Sequence, residues 1–148
     1  MRKALLIFSL ALSASSAQAQ IRVPFLAQRQ PPPPVLQGID ALRAEFAAQS
    51  GGTTIYFGAE SVILGAPATA VLTAQAAWLR RHPEVVVRVE GYGDAGDTRD
   101  HALAVGARRA EAARAYLVLL GVPAAQVSTT SWGKERPGLG RAVTVLVR

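Results

Sequence analysis

The sequence predicts an α/β two-layer sandwich, a small mixed β-sheet with helices packed on one face. Three observations carry that reading. The run Val85-Val86-Val87-Arg88-Val89 is the most strand-like in the chain, and its near-continuous valines suit a central strand buried on both faces. Two Ala-rich stretches, residues 68–81 and 98–120, carry apolar residues at helical spacing. Strand-like runs then follow at residues 127–132 and 141–147. The order strand, helix, strand, helix, strand, strand is that of helices layered on one sheet.

The elements follow in chain order. Residues 1–19 read as a secretory signal peptide: Arg2 and Lys3 precede an apolar run, and Ala17-Gln18-Ala19 is a small-residue cleavage site. The apolar run is shorter than the roughly 20 residues that span a bilayer. Residues 20–37 form a proline-rich linker, where Pro31–Pro34 favour an extended polyproline II rod. Residues 38–52 hold a short helix and its exit. Ile39, Leu42 and Phe46 share one stripe, and Ser50-Gly51-Gly52 ends it. The stripe packs on the domain edge or receives a partner.

The domain proper spans residues 53–148. Residues 53–57 are β-branched and aromatic, a first strand. Pro67 suits the first turn of the next helix, and Val71, Leu72, Trp78 and Leu79 are its apolar contacts. His82-Pro83 stops it. The central strand runs from Val85 to Glu90. Asp97 or Thr98 caps the second long helix, with Leu103, Ala110, Ala113, Leu117 and Leu120 at helical spacing and Gly121 as its stop. In the last strand Val143, Val145 and Val147 alternate onto one face.

Composition narrows the function. The chain of 148 residues has no cysteine, which excludes disulfides, thiolate metal sites and a lipidated cysteine. Its net charge of +6 falls to +4 without Arg2 and Lys3. The basic residues are scattered, a poor match to nucleic acid, whereas the sign suits an anionic cell-wall polymer.

The chemistry concentrates in residues 90–110, EGYGDAGDTRDHALAVGARRA. A strand enters a Gly-flanked loop with Asp94, Asp97, Asp100 and His101, and a helix then carries Arg108 and Arg109. Acid in the loop and base on the helix fit a small ligand bearing both charges. An enzyme reading would use the acids and His101 as a metal cluster or an acid/base set. The spacing matches no established ligand pattern, and G-x-S-x-G, H-E-x-x-H and P-loop motifs are missing. The residues therefore argue for binding without a catalytic step, a metal or another cofactor.

Gly91, Asp94, Thr98, Gly106, Arg108, Arg109 and Ala110 also fall in the order of a known motif. The stretch resembles the OmpA-like carboxy-terminal domain, the peptidoglycan-binding module shared by OmpA and Pal. The resemblance continues through Tyr116-Leu117, Gly121-Val122, residues 131–137 and Arg141-Ala142-Val143, with Tyr56-Phe57-Gly58 similar to the family's first strand. It departs where Tyr92 replaces the family's His, where His101-Ala102 replaces Tyr-Asn, and where the loop after Asp94 reads Ala-Gly-Asp. The segment before Arg141 is also shorter than usual.

The resemblance implies a βαβαββ fold and non-covalent binding of the diaminopimelate in the peptidoglycan stem peptide. Asp94 would take the ligand's ammonium and Arg109 its carboxylate, with Thr98, Arg108, Tyr92 and Arg141 in support. It implies a periplasmic, envelope-tethering protein, outer-membrane associated through a partner. The proline-rich tail is a candidate dock for an envelope protein. The rival is a scaffold of the same fold that has lost the ligand and acts through protein contacts. One geometric point bears on the site. A helix starting at Thr98 puts Arg109 roughly 16 Å along its axis. Either the loop carrying Asp94 folds back along the helix, or the helix bends near Gly106, where helix propensity is poor; the sequence leaves both open.

Overall fold

The computed structural model describes residues 38–136 and 140–148; the leader, the proline-rich segment and Pro137 lie outside the described residues. Helix α1 (Ile39–Gln49) opens this part of the chain. Phe46 is fully buried, and Ile39 and Leu42 pack half-buried against the same core. The Phe46 ring meets Trp78 edge-on at 5.1 Å. Arg43 Nη2 donates to the Leu146 carbonyl at 3.1 Å, which ties the helix to the last strand. The apolar stripe is thus turned into the core.

Strand β1 (Thr54–Tyr56) leads through a loop to α2 (Ala66–Arg81), which has Pro67 in its first turn. Trp78 is fully buried and stacks at 3.9 Å on His82, the residue that ends the helix. Strand β2 (Val87–Tyr92) begins two residues later than the valine run suggests and extends to Tyr92. Val85 is buried but lies outside the strand. Helix α3 (Arg99–Leu119) is continuous, with Thr98 as its cap. Strands β3 (Val127–Gly133) and β4 (Arg141–Leu146) complete the fold.

The sheet order is β1-β4-β2-β3. β2 and β3 are parallel, as their crossover through α3 requires, while β4 runs antiparallel to both β1 and β2. β2 is interior, and five of its six residues are buried. Ile55, Val87, Val89, Ala142 and Leu146 form the core with Leu72, Ala76, Leu79, Ala110, Ala113 and Leu117 of the helices. Gln75 is also fully buried, and both ends of its amide are used. It donates to the Gly52 carbonyl at 3.2 Å and accepts from Thr144 Oγ1 at 2.8 Å.

Two sequence readings are corrected. In β4 the buried face carries Ala142, Thr144 and Leu146; Val143 and Val145 are only half-buried, and Val147 lies beyond the strand, exposed. Thr144 stays inside because Gln75 meets its hydroxyl. Leu103 is exposed rather than a core contact, because Ala102, Val105 and Gly106 form the face of α3 that meets the sheet.

Glu90 and Tyr92 lie on the face of β2 opposite α3 yet are buried. Arg88 Nη2 donates to Glu90 Oε1 at 2.8 Å, and the Tyr92 hydroxyl donates to Glu90 Oε2 at 3.1 Å. Arg136 lies over the Trp132 ring at 3.6 Å beside them. Among the described residues no helix is long and apolar enough to cross a membrane.

Candidate functional site

The site begins with a close approach of backbones. Gly91 of β2 lies against Gly106 of α3: a Cβ built on Gly91 would sit 1.8 Å from the Gly106 carbonyl oxygen. One residue pair further on, a Cβ on Gly93 would sit 2.5 Å from the Ala102 carbonyl. The helix therefore runs back alongside the strand that feeds it, and the strand end is already level with its first turn. No bend at Gly106 exists or is needed. Helical side chains lean toward the helix N-terminus, so that of Arg109 covers the remaining distance to the loop. Gly106 serves contact rather than flexibility.

Arg109 is fully buried. A buried guanidinium is tolerated only when its donors are met, and all five are. Nη1 donates to Asp94 Oδ1 at 3.1 Å and Nη2 to Asp94 Oδ2 at 3.2 Å, a two-pronged carboxylate grip. The second proton of Nη1 goes to the Tyr92 carbonyl at 2.9 Å and that of Nη2 to the Gly58 carbonyl at 3.1 Å. Nε donates to the Ser61 carbonyl at 2.8 Å. The Phe57 ring lies 5.5 Å from the guanidinium carbon.

Asp94 is the exposed half of the pair, with 23% of its side chain accessible. Its Oδ2 also accepts from the Glu60 N–H at 2.7 Å. Glu60 has φ 53, a left-handed conformation that costs a non-glycine residue of order 1 kcal/mol. The charge-assisted bond to Asp94 offsets that cost. Gly140 closes the other side, 3.5 Å from Oδ1 measured from a Cβ built on it. Its carbonyl accepts from Phe57 N–H at 2.9 Å. Three segments thus meet at one carboxylate.

The Arg109 hydrogen bonds hold the Asp94 carboxyl below its usual range, against an upward push from burial. The Glu60 N–H and the charges of Arg109 and His101 act in the same direction as those bonds. A carboxyl lowered in the folded state contributes stability that is fully present above the unfolded value of about 3.9. That stability is lost as pH falls through the lower folded value. Melting curves should show wild type losing stability more steeply than Asp94→Asn between about pH 5 and pH 2.

The supporting residues separate. Thr98 caps α3, its Oγ1 accepting from the His101 N–H at 3.3 Å. Arg108 is exposed on α3, while its neighbour Arg109 is inside. Tyr92 joins the pair through its carbonyl only, because its ring lies on the other face of the sheet. Arg141 packs over that ring at 5.6 Å. Gly58, Glu60 and Ser61 contribute backbone groups, which no side-chain pattern announces. Among the described residues no three metal-ligating side chains gather.

The OmpA family model matches residues 56–143, which include β2, the loop after it and the helix that carry this pair. The chain belongs to the OmpA family. The peptidoglycan-associated lipoprotein of Agrobacterium fabrum is 45% identical over 86 residues, 58% of this chain and 49% of that protein. That of Pasteurella multocida is 41% identical over 86 residues, 58% of this chain and 57% of that protein. This OmpA-family chain spans about half the length of the curated relatives it matches. Among solved structures, the peptidoglycan-associated lipoprotein of Burkholderia pseudomallei aligns with a TM-score of 0.63 at 32% identity, covering 66% of this chain and 92% of that one. The C-terminal domain of Helicobacter pylori MotB aligns with a TM-score of 0.59 at 19% identity, over 64% of this chain and 84% of that one, a likeness of fold alone.

Proposed function

We propose that this OmpA-family domain binds peptidoglycan non-covalently, through the diaminopimelate of the stem peptide, and tethers the cell envelope from the periplasm. The observation that carries the reading is the partly exposed Asp94 carboxylate held on the fully buried Arg109. Relatives and a solved structure that bear the name peptidoglycan-associated lipoprotein support it. The chemistry is recognition without a bond made or broken. Asp94 Oδ1 receives one hydrogen bond in the protein and keeps an acceptor position for the ligand's ammonium. The ligand's carboxylate takes the place of the Gly58 and Ser61 carbonyls on Arg109, exchanging neutral acceptors for a charged one. A lysine-type stem has no such carboxylate to offer. A partner protein on the proline-rich tail belongs to the same proposal.

The saturation of Arg109 favours a second reading. The pair would be an internal brace, and the domain a scaffold acting through protein contacts. Co-sedimentation with purified sacculi separates the two. The expected result is retention on diaminopimelate-type wall, weaker retention on lysine-type wall, and at least about tenfold loss in Asp94→Asn. Equal recovery of wild type and Asp94→Asn, or no retention on either wall, would establish the brace.

A further inference from the structure

We infer that the face of the sheet opposite the helices docks an acidic segment of a partner protein, gripped by Arg136 and Arg88. This surface lies on the other side of β2 from Arg109, and the inference does not depend on the wall-binding reading. Helices α1, α2 and α3 all pack into one core against the first face. Among the described residues no second layer covers the other face. Tyr56, which points to it because Ile55 points into the core, is 70% exposed.

Glu90 lies at the centre of the face, and both its oxygens are met. Oε1 accepts from Arg88 Nε at 3.1 Å and Nη2 at 2.8 Å, and Oε2 accepts from the Tyr92 hydroxyl at 3.1 Å. One guanidinium and one hydroxyl thus satisfy the only acid among the strand residues of this face. Arg136 is surplus to that need. Its Nη1 stands 4.0 Å from Glu90 Oε2, beyond hydrogen-bond length. The Trp132 ring holds its guanidinium carbon at 3.6 Å, a contact through the flat side that leaves the in-plane donors free. The Arg136 side chain is 53% exposed and donates no hydrogen bond among the described residues. Arg88 is 38% exposed, and its Nη1 has no acceptor among them either. Two guanidiniums are therefore fixed beside one carboxylate, with donors turned to solvent.

The charge selects the occupant. Guanidinium forks already held in place suit carboxylates, which they grip with paired hydrogen bonds. Beside them Val143 and Val145 are half-buried, opposite Glu90 and Arg88 in register, and Tyr56 faces Arg141 across the next strand pair. Arginine and aromatic rings around a small apolar strip are what protein interfaces use at their centres. A second copy of this chain would set these guanidiniums against their own kind. An anionic membrane is held by larger Lys/Arg clusters with projecting apolar side chains. The strand residues of this face include no lysine, and Tyr92 is buried rather than projecting. An acidic segment with an apolar side chain to lay on Val143 and Val145 fits all of these features.

The test is an NMR titration of the purified protein with a synthetic peptide of Glu, Asp and Leu, and with its neutral counterpart of Gln, Asn and Leu. The chain has two tryptophans, so the indole signals are a built-in pair. The acidic peptide should shift the Trp132 indole and leave that of Trp78, fully buried in the core, in place. The neutral peptide should move neither, and added salt should weaken the binding. Arg136→Gln should bind the acidic peptide about threefold more weakly and Arg136→Glu about tenfold more weakly. Arg80→Glu makes the same change of net charge at an exposed position of α2 and should bind as wild type does. Melting curves of the three variants establish that each is folded, and Arg136→Glu should still be retained on sacculi, which separates this surface from wall binding. An unmoved Trp132 indole, or equal losses in Arg136→Glu and Arg80→Glu, would overturn the docking surface. Tighter binding to phosphatidylglycerol vesicles than to the peptide would overturn it in favour of a lipid surface.

Discussion

Arg109→Ala should lower the unfolding free energy by about 3–5 kcal/mol, the range for stripping one partner from a buried charge pair. The loss is larger than that of one ion pair because the guanidinium serves four residues at once. Its removal takes one donor from each of the carbonyls of Gly58, Ser61 and Tyr92, of which Gly58 keeps the Ser61 N–H, and leaves the Asp94 carboxylate with only the Glu60 N–H. It also opens a void at a fully buried position. Arg109→Lys keeps the charge but offers three donors from one atom and cannot hold both carboxylate oxygens and the loop together. It should recover part of the loss, leaving about 2 kcal/mol. Urea denaturation of the three proteins checks this. An Arg109→Ala midpoint near wild type would mean that the loop and Asp94 find water instead. Loss of wall binding in Arg109→Ala alone is accordingly weak evidence of ligand contact, and Asp94→Asn is the sharper probe.

Gly91→Ala should be the most damaging conservative substitution in the domain. The added methyl would stand 1.8 Å from the Gly106 carbonyl oxygen and 2.7 Å from its carbon, both backbone atoms of a continuous helix. Neither can swing aside as a side chain would, so α3 must lift from β2. Overpacking of this kind costs about 3 kcal/mol or more. It would also draw Arg109 away from Asp94. Gly96→Ala is the control, with an ordinary φ and nothing within 4 Å of its added methyl; it should be within about 0.5 kcal/mol of wild type. Thermal melts of both variants check the contrast.

The fold was legible in the sequence because its determinants are periodic. The valine run, the Ala-rich helices and their stops read directly as elements, and only their ends moved. Asp94 and Arg109 were legible as a pair through an ordered motif, and the structure joins them. What the pattern could not convey is how they meet. A bend at Gly106, one of the two routes left open, treats glycine as a weak point in a helix, when its lack of a side chain lets two backbones touch. The loop's share was invisible because Gly58, Glu60 and Ser61 act through main-chain groups that any residue carries. The face of β4 could not be chosen from apolarity, since Thr144 is buried by a hydrogen bond to Gln75 while the valines lie on the half-open side.

The strand order has a consequence for the sequence of folding events. β1 pairs only with β4, and β4 sits between β1 and β2. A chain emerging from its amino terminus can assemble β2, α3 and β3 as a local unit, but β1 must wait for residues 141–146. The loop after β1 is fastened by Phe57 N–H to Gly140 in the same late step. The cradle around Arg109 should therefore close only once β4 has joined the sheet. Until then the guanidinium and Asp94 are on a folded helix and loop with half their partners missing. A chain cut before Arg141 should keep much of its helix content and have neither an ordered first strand nor a finished site.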